Sequence, residues 1–184
     1  MRNIEQKIGI RGIVEMELKD ELGNSKKIFQ GNKLWKLISK GLKIDVRIPF
    51  LTGNWTLKSI DCNAVTNAGL EVIMKLLGNI SANPISYMAI GIGTGGTTTL
   101  NSEITTGGGE RVLVTPETET TTTTGDTCQV VNSFTFTDDF AVTEEGLLNA
   151  DIAGELIAVR EFSAINVANG DSLQITHKIV ASAA

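Results

Sequence analysis

Histidine and tyrosine each occur once in this chain, cysteine twice and proline three times. Each scarcity closes off a class of chemistry. Cys62, Cys128 and His177 are too few to build a four-ligand zinc site. A Ser-His-Asp triad would have to use His177, and no G-x-S-x-G elbow accompanies it. Aromatic residues make up 5% of the chain, so Trp35, Trp55, Tyr87 and six Phe are the only platforms on which a glycan ring could stack. No apolar run approaches the ~20 residues of a membrane helix. No G-K-[ST] is present to cradle a phosphate. Residues Met1 to Lys7 carry no apolar signal core, so the expectation is a protein made and folded in a cytoplasm. In that compartment Cys62 and Cys128 read as two small buried thiols rather than a disulfide.

What is present suits one ordinary β-rich domain. The chain has 184 residues, 41% hydrophobic and 20% charged, enough to bury a core. Its charge is divided. Up to Ile60 there are 12 Lys and Arg against 6 Asp and Glu, a net of +6; from Asp61 there are 4 against 15, a net of −11. Such asymmetry points to nucleic acid at the basic end, or to the basic part of one copy meeting the acidic part of another.

The most prominent stretch is Ile85 to Gly96, an apolar run that stops in glycine. It reads as a buried, central strand followed by a tight turn. Gly91-x-Gly93-x-x-Gly96 matches a dinucleotide fingerprint, but Thr97-Thr98-Thr99 is a poor helix start, and a pyrophosphate site needs a helix there. The turn reading is therefore preferred.

In chain order, Val14, Met16 and Leu18 alternate with Glu15, Glu17 and Lys19, and Lys26 to Gln30 reads as the return strand of an N-terminal hairpin over residues 1–31. Residues 32–60 form a basic insertion: a helix from Lys33 to Leu42 capped by Asn32, then short strands over Ile44 to Phe50 and Trp55 to Ile60. Residues 61–184 form the main β region. Asn63 to Leu77 is the clearest helix, capped by Thr66 or Asn67 and ended by Gly78. Its stripe Leu70, Ile73, Met74, Leu77, widened by Val72 and Leu76, predicts a well-covered helix, and Glu71 stands four residues before Lys75. Thr97 to Thr127 reads as exposed loops or edge strands, with Arg111 to Val114 the one strand signal inside. Later strands are predicted over Val130 to Phe136, Leu156 to Phe162 and Ser172 to Val180, with His177 on an apolar face beside Leu173, Ile175 and Ile179. Asn169-Gly170 is a hairpin signal. The acidic stretch from Asp138 to Asp151 reads as connection. Its pairs Asp138-Asp139 and Glu144-Glu145 suit a solvated turn better than a glycosidase, and no calcium-loop pattern is present. No catalytic residue, cofactor site or metal site stands out.

A resemblance gathers these pieces. Asn63-Ala64-Val65-Thr66-Asn67-Ala68-Gly69-Leu70, then Ile85 to Thr94, Phe134 to Phe140, Thr143 to Ala150 and Arg160 to Ile179 together resemble a group of small virion structural proteins of tailed bacteriophages and prophages. The resemblance spans most of the chain, with the segment from Leu34 to Ile60 departing from it, and its motifs are structural. It implies a non-enzymatic particle component, a head-decoration or head-fibre protein present in many copies. The alternative is a neck, baseplate or tail-fibre module that binds a neighbouring tail protein or a host glycan. The implied partners are other virion proteins, major capsid or neck and tail proteins, and further copies of the chain in a homo-oligomer, with no membrane.

The expected fold is mainly β: a single-domain antiparallel β-sandwich or barrel-like fold with one or two short helices. The expected interaction residues are Lys33, Trp35, Lys36, Lys40, Lys43 and Arg47 on a basic side, and Glu117, Glu119, Asp138, Asp139, Glu144 and Glu145 on an acidic side. A nucleic acid would use the same lysines, but one short helix supplies few phosphate contacts.

Overall fold

The computed structural model describes residues 8–32, 34, 47, 49, 51 and 53–183. All but Leu34 of the helix expected over Lys33 to Leu42, and most of the strand expected over Ile44 to Phe50, lie outside these residues.

Twelve strands and one helix are described: β1 (Ile8–Lys19), β2 (Ser25–Lys26), β3 (Ile28–Gly31), β4 (Gly53–Thr56), β5 (Lys58–Val65), α1 (Asn67–Leu77), β6 (Tyr87–Gly91), β7 (Val112–Leu113), β8 (Glu117–Glu119), β9 (Thr127–Thr135), β10 (Phe140–Leu148), β11 (Leu156–Val167) and β12 (Ser172–Ala183). The main strand path runs β7-β6-β10-β11-β5-β1-β12-β9-β8, and the named strands pair antiparallel. β5 is the joint. Its Lys58–Asn63 portion pairs with β1, while Ala64 and Val65 pair with β11. The path ends at β7 and β8, so it does not close into a barrel. It folds over instead. Val14, Met16, Leu173 and Ile175 from one half share a core with Met88, Leu147, Ile157 and Ile165 from the other. The result is a sandwich-like single domain.

The alternating signals of β1 and β9 hold. Val14, Met16 and Leu18 are buried, as are Val130, Phe134 and Phe136. Other expectations need correction. The N-terminal hairpin is reduced to two residue pairs between β1 and β2, because at Ile28 the chain leaves to pair with β4 in a small second sheet. There Phe29 is buried edge-on to Trp55, ring centroids 5.5 Å apart. β6 is next to the edge strand β7, not central. It is buried because the core covers one face, while Leu100 from the following loop packs with Ala89 on the other. The acidic stretch read as connection is mostly β10, one of the best-buried strands. Asn169-Gly170 does turn the chain, with Gly170 at φ +87°, but β11 and β12 are not partners. The turn carries the chain from one half of the sandwich to the other.

The helix begins later than expected, because Asn63 to Val65 still belong to β5. Thr66 is the N-cap: its hydroxyl accepts from Gly69 N at 2.9 Å and donates to the Leu156 carbonyl. Gly78 ends it, and Lys75 meets Glu71 at 2.7 Å. Its burial follows the expected one only at Val72, which is buried, and Ile73, which is half-buried. Gly69 and Val72 are its buried residues, while Leu70, Met74 and Leu77 face solvent.

Candidate interaction surface

The predicted acidic side does not form one surface. Glu117 and Glu119 lie exposed on the edge strand β8. Asp138 and Asp139 are exposed in the bend beyond the far end of β9, where Asp139 accepts from Asn169 N at 3.0 Å. β8 pairs with β9 at residues 127–129, so about nine residues of strand, roughly 30 Å, separate the two groups.

Glu144 and Glu145 are not on the surface at all; both are 0% exposed. They are adjacent on a strand, so their side chains point to opposite faces. Glu145 points into the core, where its Oε1 and Nδ1 of the equally buried His177 share a hydrogen bond of 2.6 Å. Arg160 stands opposite Glu145 in the β10–β11 register. Glu144 points the other way, under the glycine loop, and its Oε1 accepts from Ser102 N at 3.0 Å. A Cβ at Gly91 would come within 2.5 Å of this oxygen, and one at Gly93 within 2.9 Å. Two glycines of the apparent nucleotide fingerprint thus let the backbone close over a carboxylate. No helix follows them. The same loop is tied down by Arg111, which grips Glu103 with two hydrogen bonds of 2.8 and 2.7 Å and donates to the carbonyls of Ala150 and Asp151.

The threonine run is also held. Asp126 accepts from the backbone N–H of Thr121, Thr122 and Thr123, each at 2.8 Å, and from the Thr127 hydroxyl at 2.7 Å. These bonds, the one from Thr121 first, favour the charged form and keep the carboxyl far below its usual range. Cys128, next in the strand, is a free, half-buried thiol whose pKa burial pushes up.

Of the basic side, Lys33, Trp35, Lys36, Lys40 and Lys43 lie outside the described residues. Arg47 is turned into the fold: its guanidinium donates to the Ala164 carbonyl at 2.9 Å and lies 5.7 Å from the centre of the Phe29 ring.

What the sequence reading missed is an apolar surface. Leu70, Met74 and Leu77 of α1 are 39%, 55% and 77% exposed, and Ile80 just beyond is 60% exposed. Their spacing of four and three puts the helix residues on one stripe. The fourth member, Ile73, lines a cleft of about 350 Å³ together with Ile10, Cys128 and Ile179. Glu117 and Asp126 also line this cleft. The missed signal lay in Gly69, the only residue of the first turn small enough to bring the helix against β11. Its position forces the face with Leu70, Met74 and Leu77 outward.

Comparison of the chain with protein-family models, with curated proteins and with solved structures finds no match.

Proposed function

We infer that this protein is a non-enzymatic structural subunit of a tailed-phage particle, a head-decoration or head-fibre component present in many copies. The observation that carries the reading is the exposed stripe Leu70, Met74, Leu77 with Ile80 beside it. Contiguous apolar surface of this kind marks a place where another protein packs. The buried acids support the same reading. Glu144 and Glu145 are closed off from solvent, so they serve the fold and not a substrate. The resemblance of Asn63 to Leu70, Ile85 to Thr94 and Thr143 to Ala150 to small virion proteins supplies the class of assembly. The protein would be made in the host cytoplasm and end on the virion, against major capsid protein or further copies of itself.

The test is to purify particles, identify this chain in them by mass spectrometry, and locate it in an image reconstruction. Density on the head is the expected result. Density at the neck, baseplate or fibres would replace this placement with a tail role. Absence of the chain from purified particles would overturn the reading.

A further inference from the structure

The cleft beside the helix has an apolar floor and an acidic edge. Ile10, Cys128 and Ile179 come from three neighbouring strands, β1, β9 and β12, and Ile73 faces them from α1. Ile10, Cys128 and Ile179 also belong to the main core or pack against it, so the cleft is an opening in the sandwich at this end. Glu117 and Asp126 stand at its edge. Asp126 keeps its negative charge to low pH because three backbone N–H groups point at it. A matching occupant must carry apolar side chains interleaved with positive charges.

One stretch of this chain has that composition. Residues 33–43, Lys-Leu-Trp-Lys-Leu-Ile-Ser-Lys-Gly-Leu-Lys, contain four lysines, no acid and five large apolar residues. The described residues that flank the stretch are anchored away from the cleft. Asn32 donates to Leu51 O at 2.8 Å, and Arg47 is bonded to Ala164. Ala164 lies seven residues along β11 from Ile157, where α1 is seated, a distance of about 24 Å.

We propose that the acidic-edged cleft of one copy receives the basic, apolar segment 33–43 of a second copy. The proposal rests on the reading of the protein as an assembling subunit, and it names the partner. Because cleft and segment are different surfaces, the contact is heterologous: repeated, it closes a ring or extends a row. Charge sets the orientation and the rate of encounter, while the leucines, isoleucine and tryptophan supply the adhesion.

The test uses the purified full-length chain. Sedimentation is followed against concentration at low and at 1 M salt, and a fluorescent peptide of residues 33–43 is titrated onto the intact protein. The expected result is association that weakens at least tenfold in high salt, and peptide binding that Glu117→Lys weakens to a similar degree. Glu117 is exposed, so this variant keeps the fold. The variant K36E/K40E should also fail to associate alone, and mixing it with E117K should restore association. Three results would overturn the proposal: a monomer at all concentrations that does not bind the peptide; a monomer that binds it, which places the segment in its own cleft; or binding that E117K leaves unchanged. These results are separate from particle location. A chain found on particles that is monomeric in solution sinks only the docking proposal, and one that self-associates but is missing from particles sinks only the assignment to the virion.

Discussion

Glu145 on β10 and His177 on β12 touch at 2.6 Å, although their strands stand four places apart along the sheet path. In a flat sheet four steps would separate them by about 19 Å. Contact is reached because the path bends at β5 and lays one half over the other. The pair therefore crosses between the halves, with both groups fully buried. Removing one member takes a fully buried contact away from the other.

For this reason His177→Leu should cost about 3–5 kcal/mol in urea unfolding, the usual penalty for removing one partner of a buried pair. Glu145→Gln should cost less, since an amide can still meet the imidazole. The double variant should lose at least 1 kcal/mol less than the sum of the two. Strict additivity would mean that the contact does not couple the two halves.

Phe136 tests the strand phase itself. It is 1% exposed, and its ring lies 6.0 Å from that of Phe140. Phe136→Ala should destabilise by about 3–5 kcal/mol through lost burial and the cavity left behind. An unchanged melting temperature would show that this side chain is not packed.

Parts of this arrangement were open to a sequence reading and parts were not. Val14, Met16 and Leu18 sit on one face because a strand with one wet side alternates, and the pattern is local. Thr66 as a cap is local too. Glu144 and Glu145 defeat the same reasoning. A carboxylate is normally priced as solvated, so a strand holding two of them reads as a loop. What makes them tolerable, His177 for one and the Ser102 amide under a glycine loop for the other, lies 32 and 42 residues away. The Asn169-Gly170 turn was visible, but a turn does not say whether its flanking strands pair or part. The helix stripe misled for a third reason: the 3.6-residue period shows that a face is apolar and leaves open whether it meets its own core or another protein.

Asp126 gives a pH dependence whose sign follows from its hydrogen bonds. The folded protein holds the carboxyl below the ordinary value of 3.8, so its contribution is complete above that value and fades as pH falls toward the folded one. Amide signals of Thr121, Thr122 and Thr123 should stay put from pH 7 to about 4 and move together only in stronger acid. Asp126→Asn should shift all three at neutral pH. Shifts centred on the ordinary carboxylate value would mean that the three amides do not hold Asp126.

Gly69 sets two opposed effects against each other. In the middle of an exposed helix, Gly→Ala stabilises by about 1 kcal/mol, because alanine has less backbone freedom to lose. Here a Cβ would overlap the carbonyl oxygen of Ile157, which also accepts the Thr66 N–H at 3.0 Å. The helix cannot back away from β11 without drawing Thr66 and its cap hydrogen bonds off the strand. Overpacking of this kind costs about 1–3 kcal/mol, and here the obstacle is backbone, which yields less readily than a side chain. The balance predicts that Gly69→Ala lowers stability by about 1–2 kcal/mol in a urea titration, and that Gly78→Ala, where the nearest atoms are 3.4 Å away and include the flexible end of Ile80, is milder. A Gly69→Ala protein more stable than the parent would mean that α1 does not sit against β11 through this residue, and that the outward turn of Leu70, Met74 and Leu77 has another cause.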